Sequence, residues 1–143
     1  MPIPILNLII MKLSRTQREI LEFVVAIAAA WLFYQGLALA LGTSMPMVAV
    51  VSGSMEPNLH VGDLMIVRHQ DQYDVGEIAI YNRDRITIIH RIIDVTPQGY
   101  VFKGDNNPGP DPQVVPPERV LGRGMFAIPL LGFPRLLLFA FGI

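Results

Sequence analysis

From Phe23 to Gly42 the chain runs twenty residues without a charge, and only Gln35 interrupts its apolar character. At about 1.5 Å per residue, a helix of that length covers roughly 30 Å, the thickness of a bilayer's hydrocarbon core. With 143 residues in all, about one domain's worth of chain remains for anything outside the membrane. The 52% hydrophobic content agrees, because it exceeds what one small soluble core needs and leaves apolar surface for lipid. Lys12, Arg15 and Arg18 precede the stretch. By the positive-inside tendency they hold the N-terminus in the cytoplasm and send everything after Gly42 outside. Thr16 with Glu19 fits a capping box and sets the expected helix start. The basic flank, the apolar run and Ala38 with Ala40 in A-x-A spacing also match a cleavable secretory signal. Twenty uncharged residues are long for such a signal, which favours a retained anchor.

Residues 1–11 are apolar but too short to span, and Pro2 and Pro4 break any helix there. The C-terminal run from Ile128 to Ile143 is apolar too, yet its sixteen residues include Pro129, Pro134 and Arg135. A membrane-associated segment is expected there rather than a second full span. The expected organisation is therefore a cytoplasmic or interfacial segment over 1–18, a transmembrane helix over 19–42, an exterior β domain over 43–127 and an apolar tail over 128–143.

Several function classes drop out early. The net charge is −1 and the basic residues form no aromatic-interleaved patch, so no nucleic-acid partner is expected. The absence of Cys removes thiol catalysis, zinc-thiolate sites and disulfides together. His60, His69 and His90 lack the H-E-x-x-H spacing that sets two ligands on one helix face, so neither a metal nor another cofactor is expected.

Between Pro46 and Ala127 the pattern is that of short strands: Val, Ile and Tyr runs bounded by Gly, Pro, Asn and Asp. Strands are expected at Met47–Val51, Leu64–Arg68, Glu77–Tyr81, Ile86–Val95 and Tyr100–Lys103. Asn82–Arg85 forms one turn, and Thr96-Pro97-Gln98-Gly99 has the chemistry of a type I turn. The fold class is mainly β: a small antiparallel sheet or partly open barrel with an N-terminal transmembrane helix.

Just beyond the apolar stretch stands Ser52-Gly53-Ser54-Met55-Glu56-Pro57. Ser and Gly cluster in turns for backbone reasons alone, so a nucleophile needs a base and an orienting acid elsewhere in the chain. His90 lies mid-strand in Ile88-Ile89-His90-Arg91-Ile92, where alternation puts it between isoleucines on one face. His60 and His69 lie near loops and read as solvated. Lys103 is the one lysine beyond the apolar stretch and keeps a Ser-Lys pairing open. The loop Gly104-Asp105-Asn106-Asn107-Pro108-Gly109-Pro110-Asp111 supplies two carboxylates six residues apart.

The serine run, His90-Arg91-Ile92 and Gly104-Asp105-Asn106-Asn107 followed by Asp111 resemble, in order and spacing, the type I signal peptidases of the archaeal and endoplasmic-reticulum branch. The resemblance covers nearly the whole chain from the apolar stretch to Arg123. It implies an all-β fold without the large insertion of many bacterial members. It also implies Ser54 as nucleophile, His90 as general base where the bacterial branch has lysine, Asp111 as the triad acid and Asp105 as a supporting acid. Pro108-Gly109-Pro110 departs from the family pattern and leaves open which Asp faces His90. Ser52 and Met55 join the site as oxyanion or substrate contacts.

The activity so implied is a membrane-anchored serine endopeptidase that cleaves signal peptides from exported preproteins. Its expected place is the cell membrane or the endoplasmic-reticulum membrane, single-pass, with preprotein signal peptides and membrane lipid as partners. Partner subunits are compatible with the sequence but not implied by it. Two other readings remain: a maturation peptidase for a few surface proteins, and a non-catalytic membrane subunit of a processing complex.

Overall fold

The computed structural model describes residues 14–141, in two compact units that divide between Leu37 and Ala38. The first unit is carried by α1, which as an element runs Arg15–Leu41. Ser14 caps it. The Gln17 N–H donates to Ser14 Oγ at 3.3 Å, and the Ser14 N–H donates back to Gln17 Oε1 at 2.9 Å. The capping box thus stands two residues before the expected Thr16–Glu19 pair, because Gln at the third helical position serves as well as Glu. Glu19 instead accepts from Arg15 Nε at 3.1 Å, one turn away. The helix is long and apolar enough to cross a membrane, and none of its residues is buried. Phe23, Trp31 and Phe33 all stand exposed, which in water would be costly and in lipid would not. The expected surface segment at residues 1–11 lies outside the described residues.

In the second unit, β1 (Met47–Ala49), β2 (Leu64–Arg68), β3 (Ile78–Arg83), β4 (Ile86–Thr96), β5 (Gly99–Lys103) and β6 (Val120–Ile128) build one sheet. The order across it is β1-β2-β6-β3-β4-β5, with every neighbouring pair antiparallel. The expected mainly β, antiparallel architecture holds, with its strands close to their expected places. β1 is shorter than expected because Val50 leaves the ladder. Its N–H donates to Asp63 O at 2.9 Å, and its carbonyl accepts from Gly62 N–H at 2.9 Å. The turn expected at Asn82–Arg85 shrinks to Asp84-Arg85, since Arg83 already pairs with Ile86. Asp84 takes φ 56 there, a conformation that Asp tolerates better than most residues.

The sequence pattern does not announce β6. Gly122, Arg123 and Gly124 interrupt its alternation, yet β6 pairs with both β2 and β3 and ties the two halves of the sheet together. Its glycines answer to crowding. A Cβ on Gly122 would lie 2.7 Å from Arg68 O, and one on Gly124 would lie 2.8 Å from Met65 Sδ. Register shifts at Ile66/Val67, Ile80/Tyr81 and Ile92/Asp94 bend the strands, as bulges do in strongly coiled sheets.

Two core clusters pack against the sheet. Val48, Val50, Met55, Leu59, Met65, Val67 and Ile80 form one core cluster. Tyr73, Ala79, Tyr81, Ile92, Tyr100, Phe102, Val115 and Val120 form the other. Ile80 and Tyr81 are successive residues in different clusters, so β3 is buried on both sides. After β6 the chain turns at Leu130 into α2 (Phe133–Ala140). Gly132 fastens the turn by donating to Gly62 O at 2.8 Å, while Leu130, Leu131, Phe133 and Leu137 remain exposed.

The crowding at Gly122 generates a stability prediction. Gly122→Ala should cost about 1–3 kcal/mol as the neighbouring backbone is forced apart, whereas Gly109, with open space around it, should accept Ala within about 0.5 kcal/mol. Thermal unfolding of the detergent-solubilised variants reads both, and equal midpoints would contradict the tight approach of β6 to β2.

Candidate active site

The serine run leaves β1 as extended backbone through Ser52 and then tightens into a 3-10 turn over Gly53–Met55. Met55 is 1% exposed and anchors the turn in the core, and its carbonyl accepts from the Asn58 and Leu59 N–H groups at 3.0 Å each. With Met55 held inward, Ser54 is carried to the surface of the cleft. Its Oγ lies 3.3 Å from Ser52 Oγ and 3.1 Å from His90 Nε2.

His90 stands on β4 opposite Ala79 of β3 and is buried, as the flanking isoleucines suggest. Its Nδ1 lies 2.7 Å from Asp111 Oδ2. The open question of the two acids is resolved geometrically: Asp111 faces the imidazole, and Asp105 does not. Asp105 forms a two-pronged pair with Arg91, from Nε at 2.8 Å and from Nη2 at 2.6 Å, and accepts from Asn58 Nδ2 at 2.7 Å. Arg91 Nη1 also donates to Gly76 O at 2.8 Å. The Arg91 hydrogen bonds, followed by that from Asn58, hold the Asp105 carboxyl below its ordinary range against an opposing effect of burial. Asp105 in turn holds the Arg91 guanidinium firmly protonated.

This network has a visible purpose in the fold. Asp105 fixes the loop after β5, and the next residue, Asn106, donates its N–H to Ser54 O at 2.9 Å and its Nδ2 to Gly53 O at 3.2 Å. Gly104 is needed for that approach, since a Cβ there would stand 2.7 Å from Ser54 O. The Asp111 N–H donates to Phe102 O at 2.8 Å, folding the far end of the loop back onto β5. The serine turn and both acids are therefore parts of one hydrogen-bonded assembly. Sequence reasoning missed Asn58, the clamp role of Arg91, Asn106 and Tyr81, whose hydroxyl donates to Asp111 Oδ2 at 2.7 Å. Adjacency in the motifs marked Arg91 and Asn106; nothing local marked Asn58 or Tyr81.

Ser54 and His90 open into a cleft of about 360 Å³ between the extended segment Val48–Ser52 and the first half of β4, Ile86–His90. Ser52 and Met55 line it as well. β1 is the outer strand of the sheet, and β5 pairs only with Arg91–Thr96 of β4. Both walls thus offer unpaired strand edges to an extended peptide. Lys103 pairs with Arg91 across β4 and β5 and is not among the residues lining the cleft. His60 and His69 are exposed, as expected. Among the described residues, no group of three or more His, Cys, Asp or Glu side chains could hold a metal ion.

A serine hydroxyl, an imidazole and a carboxylate in hydrogen-bonded series beside an open cleft form an arrangement chemically capable of acyl transfer. The Peptidase S24-like family model matches residues 16–124, and the chain belongs to that family. Within it, the chain falls among the signal peptidases of the endoplasmic-reticulum type. The signal peptidase complex catalytic subunit of Pyricularia oryzae is 31% identical over 137 residues, covering 84% of this chain and 79% of that protein. Its Penicillium rubens counterpart is 29% identical over 135 residues, with 84% and 77% covered. The Yarrowia lipolytica counterpart is 35% identical over 102 residues, with 66% and 59% covered.

The lowered Asp105 carboxyl carries a pH consequence. An unfolded Asp titrates near 3.9, so below that value the unfolded chain takes up a proton that the folded chain still refuses. Asp105 therefore contributes stability in full above about pH 5, and loses it as pH falls through its lower folded value. The melting-temperature gap between the wild type and Asp105→Asn should be level above about pH 5 and close as the medium is acidified further. A gap that does not change with pH would contradict the Asp105–Arg91 clamp.

Proposed function

We propose that the chain is a membrane-anchored serine endopeptidase that removes signal peptides from exported preproteins. The observation that carries this reading is the unbroken series Ser54 Oγ, His90 Nε2 and Nδ1, Asp111 Oδ2, at 3.1 and 2.7 Å, facing a cleft with two free strand edges. The names of the relatives supply the substrate class, and as catalytic subunits of a complex they also argue for partner subunits here.

In the proposed reaction, His90 Nε2 takes the Ser54 proton as Oγ attacks the scissile carbonyl, while Nδ1–H donates to Asp111 and fixes the tautomer. The tetrahedral oxyanion is met by the Ser54 backbone N–H and the Ser52 hydroxyl, a donor type worth roughly 3 kcal/mol in comparable sites. His90 then gives its proton to the leaving amine, and water, deprotonated by the same nitrogen, releases the acyl-enzyme. Asp105 acts at a distance from the reacting atoms, keeping the Asn106 loop on the Ser54 carbonyl. The substrate lies extended between Val48–Ser52 and Ile86–His90, along the two unpaired strand edges.

Residues 19–42 anchor the enzyme in this reading, with the 1–18 segment cytoplasmic and the 43–127 domain outside. The segment 128–143 rests on the membrane: Leu130, Leu131, Phe133 and Leu137 give it an exposed apolar surface suited to lipid. The membrane is that of the endoplasmic reticulum or the cell.

A preprotein cleavage assay in detergent tests the assignment. Ser54→Ala and His90→Ala should each lower kcat by about 10³-fold or more, with unchanged thermal midpoints, while Lys103→Met should keep activity within about twofold of the wild type. Full activity in either of the first two variants, or loss in the third alone, would overturn the Ser-His assignment.

A further inference from the structure

Tyr81 is 1% exposed and lies in the core against Phe102, with ring centroids 4.5 Å apart. A tyrosine in such a place is ordinarily a large apolar filler with a hydroxyl to satisfy. Its partner here is unusual. The hydroxyl donates at 2.7 Å to Asp111 Oδ2, the same oxygen that faces His90 Nδ1 at 2.7 Å. The sheet explains the meeting. Ala79 pairs with His90 and Tyr81 with Ile88, so Tyr81 and His90 share one face as diagonal neighbours, an arrangement in which long side chains reach a common point.

Resting on the peptidase reading, we propose that Tyr81 is a positioning residue for His90, holding the Asp111 carboxylate in the one orientation that aligns the imidazole. Asp111 needs such a hold because it sits on an irregular loop, where its N–H bond to Phe102 O is the one backbone hydrogen bond it makes among the described residues. A carboxylate there can turn about its last torsion, and the Tyr81 donor pins one oxygen. Burial, followed by the Asp111 hydrogen bond, raises the phenol's pKa well above its ordinary value, so Tyr81 remains a donor at every pH at which the enzyme works. Two donors on one oxygen also divide its negative charge, which moderates how strongly Asp111 stabilises a protonated His90.

Tyr81→Phe keeps the ring and removes only the hydroxyl. In the full chain, assayed in detergent on a preprotein, kcat should fall roughly tenfold with KM within about twofold, as lost orientation rather than lost binding requires. With one donor gone, Asp111 favours the imidazolium more, so the acid limb of kcat/KM should move to higher pH, by roughly half a unit. Incorporating 3-fluorotyrosine at position 81 strengthens the donor without changing the fold, and should move the same limb to lower pH. Unchanged kcat with an unmoved limb in Tyr81→Phe would overturn the proposal. So would a loss of activity that follows the thermal midpoint alone, or a 3-fluorotyrosine limb that stays in place. Ser54→Ala in the same assay separates the two readings. Residual full activity there overturns both, whereas an inactive Ser54→Ala beside a wild-type-like Tyr81→Phe overturns only the role of Tyr81.

Discussion

The pairing of β3 with β4 sets the register on which the site depends. Because side chains alternate along a strand, Ala79 and Tyr81 face the same side as His90 and Ile92. A slip of one residue would send His90 to the other face of the sheet and Tyr81 away from Asp111. The register is protected on both sides. Ala79, Ile80 and Tyr81 are all buried, Ile80 in one core cluster and its neighbours in the other, so a slip of one residue would exchange the side chains between the two clusters. The hairpin closing the pair leaves two residues, Asp84 and Arg85, in which to correct any error.

What the register does for His90, the loop after β5 does for Ser54. Gly104 to Asp111 reaches both participants: Asn106 grips the Ser54 carbonyl, and Asp111 meets the imidazole. A loop is ordinarily the least fixed part of a domain, and this one is restrained four ways. Asp105 is clamped by Arg91 and Asn58, Asn106 by the serine turn, Asp111 by the Phe102 carbonyl, and the segment between by Pro108 and Pro110. Proline restricts the unfolded chain as well as the folded one, so less conformational freedom is lost when this part of the site forms.

Much of this was legible in the sequence because alternation and turn chemistry act locally. Leu64–Arg68 is found at its expected ends, and the strand carrying His90 differs from expectation only by Thr96. β6 was not legible because Gly122 and Gly124 answer to neighbours in β2, more than fifty positions away in sequence, and their crowding leaves no mark in the local pattern. Likewise Tyr81 reads as an ordinary strand residue until Asp111 is brought beside it. The family motifs pointed to the three side chains that meet in the Ser54-His90-Asp111 series; they could not name residues whose role arises only when distant segments meet.

The two acids show why motif and geometry must be read together. Six residues apart, Asp105 and Asp111 are chemically alike, and either could face an imidazole. The difference lies in what each meets first. Asp105 lies two residues beyond the end of β5, whose last residue Lys103 pairs with Arg91, so the nearest strong donor is a guanidinium, and a planar two-pronged pair forms. Once so occupied, that carboxylate has little capacity left for a histidine. Asp111 returns to Phe102, on the face where His90 and Tyr81 point and no guanidinium or ammonium competes for it in the described hydrogen bonds. Placing the arginine next to His90 in sequence therefore does more than neutralise a charge: alternation turns consecutive side chains to opposite faces, and each face receives its own acid.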